Sequence, residues 1–70
     1  MFKIYFENRK GEKHCLYTGT EKECRKSMMD YVQSLGYKVY YTNEFNIDDN
    51  IRRIDFGSHS EFCYLEKIYD

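Results

Sequence analysis

A threonine set three residues ahead of a glutamate, and followed by an apolar stripe of helical period, constrains this chain more than any other feature. Thr20 precedes Glu21-Lys22-Glu23. Its hydroxyl is placed to accept from the N–H groups of a first helical turn while Glu23 reaches back to the cap, the arrangement of a capping box. Cys24, Met28, Tyr31, Val32 and Leu35 then recur at helical spacing, and Gly36 supplies a residue that tolerates the left-handed C-cap. A single helix with a single apolar stripe needs one flat surface to bury it.

The segments on either side supply that surface. Phe2, Ile4 and Phe6 alternate with Lys3, Tyr5 and Glu7, the period of two of a half-buried strand, and Asn8-Arg9-Lys10-Gly11 reads as a turn into a second strand from about Lys13 to Thr18. After the helix, Tyr37, Val39 and Tyr41 restart the period of two. A polar loop is expected from about Asn43 to Asn50, and Ile51 to Phe56 and Phe62 to Ile68 read as two further strands around Gly57-Ser58-His59-Ser60. The predicted order is β-β-α-β-β-β, an α+β fold with one helix packed across a small antiparallel or mixed sheet.

Seventy residues with no proline, no repeat and no low-complexity linker predict a single domain, 1–70. A chain this short buries only about 60% of its unfolded surface, so it gains from a metal, a disulfide, a partner or large side chains. Eight Tyr and five Phe provide the last of these. No stretch approaches twenty apolar residues and Met1-Phe2-Lys3 opens directly into a strand pattern. Neither a membrane span nor a signal peptide is expected, and the chain reads as cytoplasmic.

Charge bears on the partner. The formal net charge of −1 argues against a protein held to nucleic acid by phosphate contacts. The charge is polarised along the chain. Residues 1–38 carry eight cationic and five acidic side chains, whereas residues 39–70 carry three and seven. An acidic face opposite a basic one steers charged partners, or is simply a solvated surface.

His14, Cys15, Cys24, His59 and Cys63 place five soft or borderline metal ligands in the chain. Zinc takes four such ligands tetrahedrally. His14 and Cys15 are adjacent on a strand and point to opposite faces, so only one joins a given site. Cys24 lies in the first turn of the helix on its apolar stripe. His59 and Cys63 are four apart, a separation that a turn leading into a strand closes around one ion. A structural zinc bound by Cys15 (or His14), Cys24, His59 and Cys63 would tie hairpin, helix and last strand together. The alternative is three cysteines acting as small core hydrophobes, since the chain has no CxxC pair. A disulfide is disfavoured by the odd count and the cytoplasmic setting. A nucleophilic Cys63 with His59 lacks an oxyanion loop and an orienting acid, so an enzyme is not expected.

Tyr37, Tyr40 and Tyr41 crowd one short segment, and alternation puts Tyr40 opposite the other two. Tyrosine gives large contact area at low entropy cost, which suits an interface, and it also serves to cover the open face of a small sheet. Glu44, Asp48, Asp49, Asp55 and Glu61 are positioned to join these rings in one acidic, tyrosine-rich partner-binding face. Base stacking on the aromatics, as in RNA-recognition modules, would need a basic groove that the composition does not supply.

The segment Arg53-Ile54-Asp55-Phe56-Gly57-Ser58-His59-Ser60-Glu61-Phe62 resembles the closing motif of small proteins encoded by phages and mobile elements of low-GC bacteria. Size, the layout of one helix on a sheet, the Lys/Tyr/Asn-rich composition and the candidate acidic surface are similar to those of anti-CRISPR proteins, phage inhibitors that bind CRISPR effectors. The resemblance implies an inhibitor acting by occupancy, without catalytic residues. The partner expected is an RNA-guided nuclease or another host-defence protein, and the chain is expected as monomer or homodimer. The alternative is a zinc-stabilised nucleic-acid-binding module.

Overall fold

The computed structural model describes residues 1–58 and 60–68, and its elements follow the expected order. They are β1 (Phe2–Glu7), β2 (Lys13–Gly19), α1 (Glu21–Ser34), β3 (Asn43–Asn46), β4 (Ile51–Asp55) and β5 (Phe62–Lys67). All five strands form one antiparallel sheet in the order β2-β1-β5-β4-β3, with α1 packed against β1, β2 and β5. The result is a two-layer α+β fold. No helix among the described residues is long and apolar enough to cross a membrane.

The helix starts where the capping box places it. Glu23 N–H donates to Thr20 Oγ1 at 3.2 Å and Thr20 N–H donates to Glu23 Oε1 at 3.0 Å. The Thr20 N–H and hydroxyl, both donating to Glu23 Oε1, hold the Glu23 carboxyl below the usual carboxylate range. Cys24, Met28 and Val32 are buried from the expected stripe, whereas Leu35, the C-cap, is exposed because the helix has already ended at Ser34. Gly36 reverses the chain with φ 97°, a conformation that strains any residue with a Cβ.

The stripe packs on one face of the sheet. Ile4 and Phe6 of β1, Ile54 of β4, Cys63 and Leu65 of β5, and Phe56 form the core with it. Cross-strand partners share a face, so the opposite, open face carries Tyr5 beside Cys15 and Tyr64, and Arg53 beside Tyr64 and Phe45.

One strand lies elsewhere than the period of two suggests. Tyr37 to Tyr41 are not a strand, and residues 43–46, expected in a polar loop, are β3. Both segments compete for the free edge of β4. Residues 43–46 reach it through the four-residue connection 47–50, a much shorter closure than Tyr37–Tyr41 would need. Tyr37 N–H donates instead to Val32 C=O at 3.2 Å, and Tyr37 and Val39 lie against the core as a strap.

Candidate interaction surface

Of the ligand set proposed for zinc, His14, Cys15, Cys24 and Cys63 lie among the described residues, at separate places in the fold. His14 and Cys15 point to opposite faces, as strand alternation requires. His14 lies on the helix side, its Nε2 3.2 Å from Tyr31 Oη and its ring against Phe6 and Tyr31, while Cys15 is exposed on the open face beside Tyr5. Cys24 is fully buried, and its thiol donates to Phe2 C=O at 3.4 Å. Cys63 is fully buried opposite Phe6. Phe2 and Phe6 are four residues apart on β1, about 13 Å along a strand, whereas two sulfurs on one zinc lie within about 4.6 Å of each other. Cys24 and Cys63 therefore do not meet at one ion. Among the described residues no three His, Cys, Asp or Glu side chains are placed to hold a metal, and His59 lies outside the described residues. Burial pushes the Cys63 thiol up to about 12, and raises that of Cys24, so both stay protonated at neutral pH.

Most of the carboxylates expected on the partner-binding face are held by the chain itself. Glu44 accepts from Arg25 in a bidentate pair, Nη1 to Oε2 at 2.7 Å and Nη2 to Oε1 at 2.9 Å, and from Arg52 Nη1 at 3.2 Å. These guanidinium bonds hold its carboxyl below the usual range. Asp48 Oδ1 accepts from the N–H groups of Asn50 and Ile51 at 2.7 and 2.9 Å, closing the turn between β3 and β4. Asp55 Oδ1 accepts from Gly57 N–H at 2.8 Å, and Glu61 accepts from the Tyr37 hydroxyl. Tyr37 itself is half-buried, its ring edge-on to Phe56 with centroids 5.0 Å apart. Of the expected residues, Tyr40, Tyr41 and Asp49 have neither a hydrogen-bond nor an ion-pair partner among the described residues, and all three are exposed.

Tyr40 is 84% exposed, Tyr41 63%, Phe45 48% and Ile47 53%. These are four of the seven large hydrophobic side chains that stand exposed among the described residues, and they fall within eight consecutive positions on the approach to and along the edge strand β3. Sequence reasoning missed Phe45 and Ile47. Their alternation with Glu44 and Asn46 was the available signal, masked by the polar residues on either side.

The open face of the sheet is a second surface. Tyr5 Oη donates to Glu66 at 3.3 Å and Tyr64 Oη to Glu7 at 2.9 Å. Lys13 Nζ sits 4.2 Å from the Tyr64 ring centroid, and the Arg53 guanidinium sits 4.8 Å from that of Phe62 and 5.6 Å from that of Phe45. Arg53 Nε is buried without a partner among the described residues. Comparison with protein-family models, curated proteins and solved structures finds no match for this chain.

Proposed function

We propose that this chain is a binding protein that acts by occupancy, as an anti-CRISPR-type inhibitor covering a surface of an RNA-guided nuclease or another host-defence effector. The contact surface is the exposed side-chain face on the approach to and along β3, Tyr40, Tyr41, Phe45 and Ile47, flanked by the acidic turn of Asp48 and Asp49. The observation that carries this reading is the concentration of exposed apolar side chains in that one stretch. Such patches mark interaction sites, and aromatic side chains dominate interface energetics. Two features of the earlier expectation are revised in it. Glu44, Asp55 and Glu61 act within the fold, and the aromatic edge, with Asp49 beside it, takes over from a broad acidic face.

The test is a cleavage assay with purified RNA-guided nucleases, run with the wild-type chain and with Tyr40→Ala/Tyr41→Ala. Inhibition with direct binding, lost at least tenfold in the folded double variant, is the expected result. No binding to any effector of the panel, or equal inhibition by the double variant, overturns it.

The open sheet face favours a second reading, contact with single-stranded nucleic acid, because Lys13 and Arg53 lie over exposed-face rings. It ranks second because Glu7 and Glu66 occupy the same face. Filter binding across a salt series decides it, and a lack of salt-dependent retention removes it.

A further inference from the structure

The two edges of the sheet are β2 and β3, and they differ in how they treat an incoming strand. β2 is irregular, with a register slip opposite Ile4 and Tyr5, and its Tyr17 carbonyl accepts from the thiols of Cys15 at 3.5 Å and Cys24 at 4.0 Å. A bulge of this kind discourages pairing. β3 pairs with β4 in unbroken register and contains no proline, lysine or bulge. Its one charge, Glu44, is drawn toward Arg25 and Arg52.

The register tells which backbone groups of β3 are free. Ile47 N–H donates to Ile51 C=O at 2.9 Å, and the pairs Phe45 with Arg53 and Asn43 with Asp55 continue that spacing. Hydrogen-bonded and non-hydrogen-bonded pairs alternate along an antiparallel ladder. The N–H and C=O groups of Glu44 and Asn46 therefore point out of the sheet, with no partner among the described residues.

We infer that β3 pairs antiparallel with β3 of a second copy of this chain, Glu44 against the second copy's Asn46, and that this pairing completes the binding face. Hydrogen bonding selects the register. Glu44 opposite Glu44, or Asn46 opposite Asn46, leaves a single hydrogen-bonded pair between the two β3 strands. Glu44 opposite Asn46 instead makes two such pairs, faces a carboxylate with an amide donor, and sets Phe45 against Phe45 on the open face in a non-hydrogen-bonded pair, where rings meet closely. Within one chain the Asp48-Asp49 turn and the Tyr40-Tyr41 pair lie at opposite ends of β3, about 10 Å apart along the strand alone. The antiparallel second copy carries its acidic turn to the tyrosine end of the first, so each composite face holds tyrosines from one copy and carboxylates from the other. That last step rests on the proposed function, whereas the pairing does not. A four-residue edge makes a small interface, so the dimer is concentration-dependent.

Sedimentation over a range of concentrations tests the pairing, alongside Asn46→Pro, which removes an outward N–H and leaves the β4 ladder intact. Wild type moving from monomer to dimer, with association weakened at least tenfold in folded Asn46→Pro, is the expected result. Should that variant not fold, Phe45→Lys, which opposes two lysines across the pairing, replaces it. Register is read by oxidative cross-linking in a Cys15→Ser background. Phe45→Cys links copies, because the paired Cα atoms lie about 4.5 Å apart and within disulfide reach, while Ile47→Cys does not. A wild type that stays monomeric at every concentration, a dimer indifferent to both edge variants, or cross-linking at Ile47→Cys alone overturns the pairing. A dimer that binds no effector overturns the functional reading and leaves the pairing standing, and a folded monomeric variant that inhibits as well as wild type overturns the composite face.

Discussion

Arg25 on the helix and Glu44 on the edge strand meet as a bidentate ion pair, 2.7 and 2.9 Å, with Glu21 holding the same guanidinium at 2.9 Å and Arg52 the same carboxylate at 3.2 Å. Nineteen residues apart in the chain, the two groups join the helix to the strand farthest from its packing surface. Two forked bonds to a partly shielded carboxylate exceed a solvated surface pair. Arg25→Ala and Glu44→Gln should each cost about 1 kcal/mol, with an effect that shrinks in high salt. A double-mutant cycle by urea denaturation checks it, and additive single effects would mean the pair contributes nothing.

Acid should expose the same link. The folded carboxyls of Glu44 and Glu23 lie below their ordinary value of 4.5. A carboxyl depressed by folding contributes stability that is present above its unfolded value and is lost as pH falls through its folded one. Thermal melting should therefore hold steady from neutral pH to about 5 and decline below about 4.5. Glu44→Gln should flatten that decline, which a series of melts across the acid range would record.

The three thiols should separate by accessibility. Cys15 is exposed and Cys24 and Cys63 are buried, so a thiol reagent at neutral pH should modify one cysteine quickly and the other two only on unfolding. Alkali adds a second signature. The Cys63 thiol is raised by burial from 9.0 to about 12, so its contribution is intact below 9.0 and is lost as pH climbs toward 12. Quantifying fast and slow thiols in native and denatured protein checks the first point, and melts from neutral to alkaline pH the second.

Asp48 serves the fold through its oxygen and the surface through its charge, and substitution separates the two. Asp48→Asn keeps an acceptor for the Asn50 and Ile51 N–H groups, whereas Asp48→Ala opens the turn and should cost about 1 kcal/mol. Asp48→Asn/Asp49→Asn should keep the wild-type melting temperature and weaken effector binding. Unchanged binding would restrict Asp48 to its turn.

Thr20→Ala should cost about 1 kcal/mol, because it removes the acceptor of the Glu23 N–H and frees Glu23 from the cap. Ile54→Val, in a fully buried position of β4, should cost a similar amount by leaving a methyl-sized void. Chemical denaturation of both variants checks the two figures.

The helix and the first hairpin were legible because their determinants lie within a few residues of one another. Thr20 and Glu23 bond across a single turn, Cys24, Met28 and Val32 share a stripe whatever surrounds them, and the opposite facing of His14 and Cys15 follows from strand alternation alone. Three of the residues expected at the interface, Tyr40, Tyr41 and Asp49, were legible as exposed polar or aromatic positions. Phe45 and Ile47 were not, because a short edge strand among polar residues looks like a loop until a neighbouring strand lends it a ladder.

What the amino-acid order determined by itself was therefore the α+β class, the single capped helix and the inward stripe, all settled by hydrogen bonds and periodicity over short spans. Only the tertiary structure decided which segment took the free edge of β4, whether Cys24 and Cys63 could converge, and which carboxylates stayed outside. Those outcomes are competitions between partners distant in sequence, Arg25 for Glu44 and Tyr37 for Glu61, and they are resolved by loop closure and sheet register, which no short stretch of sequence contains.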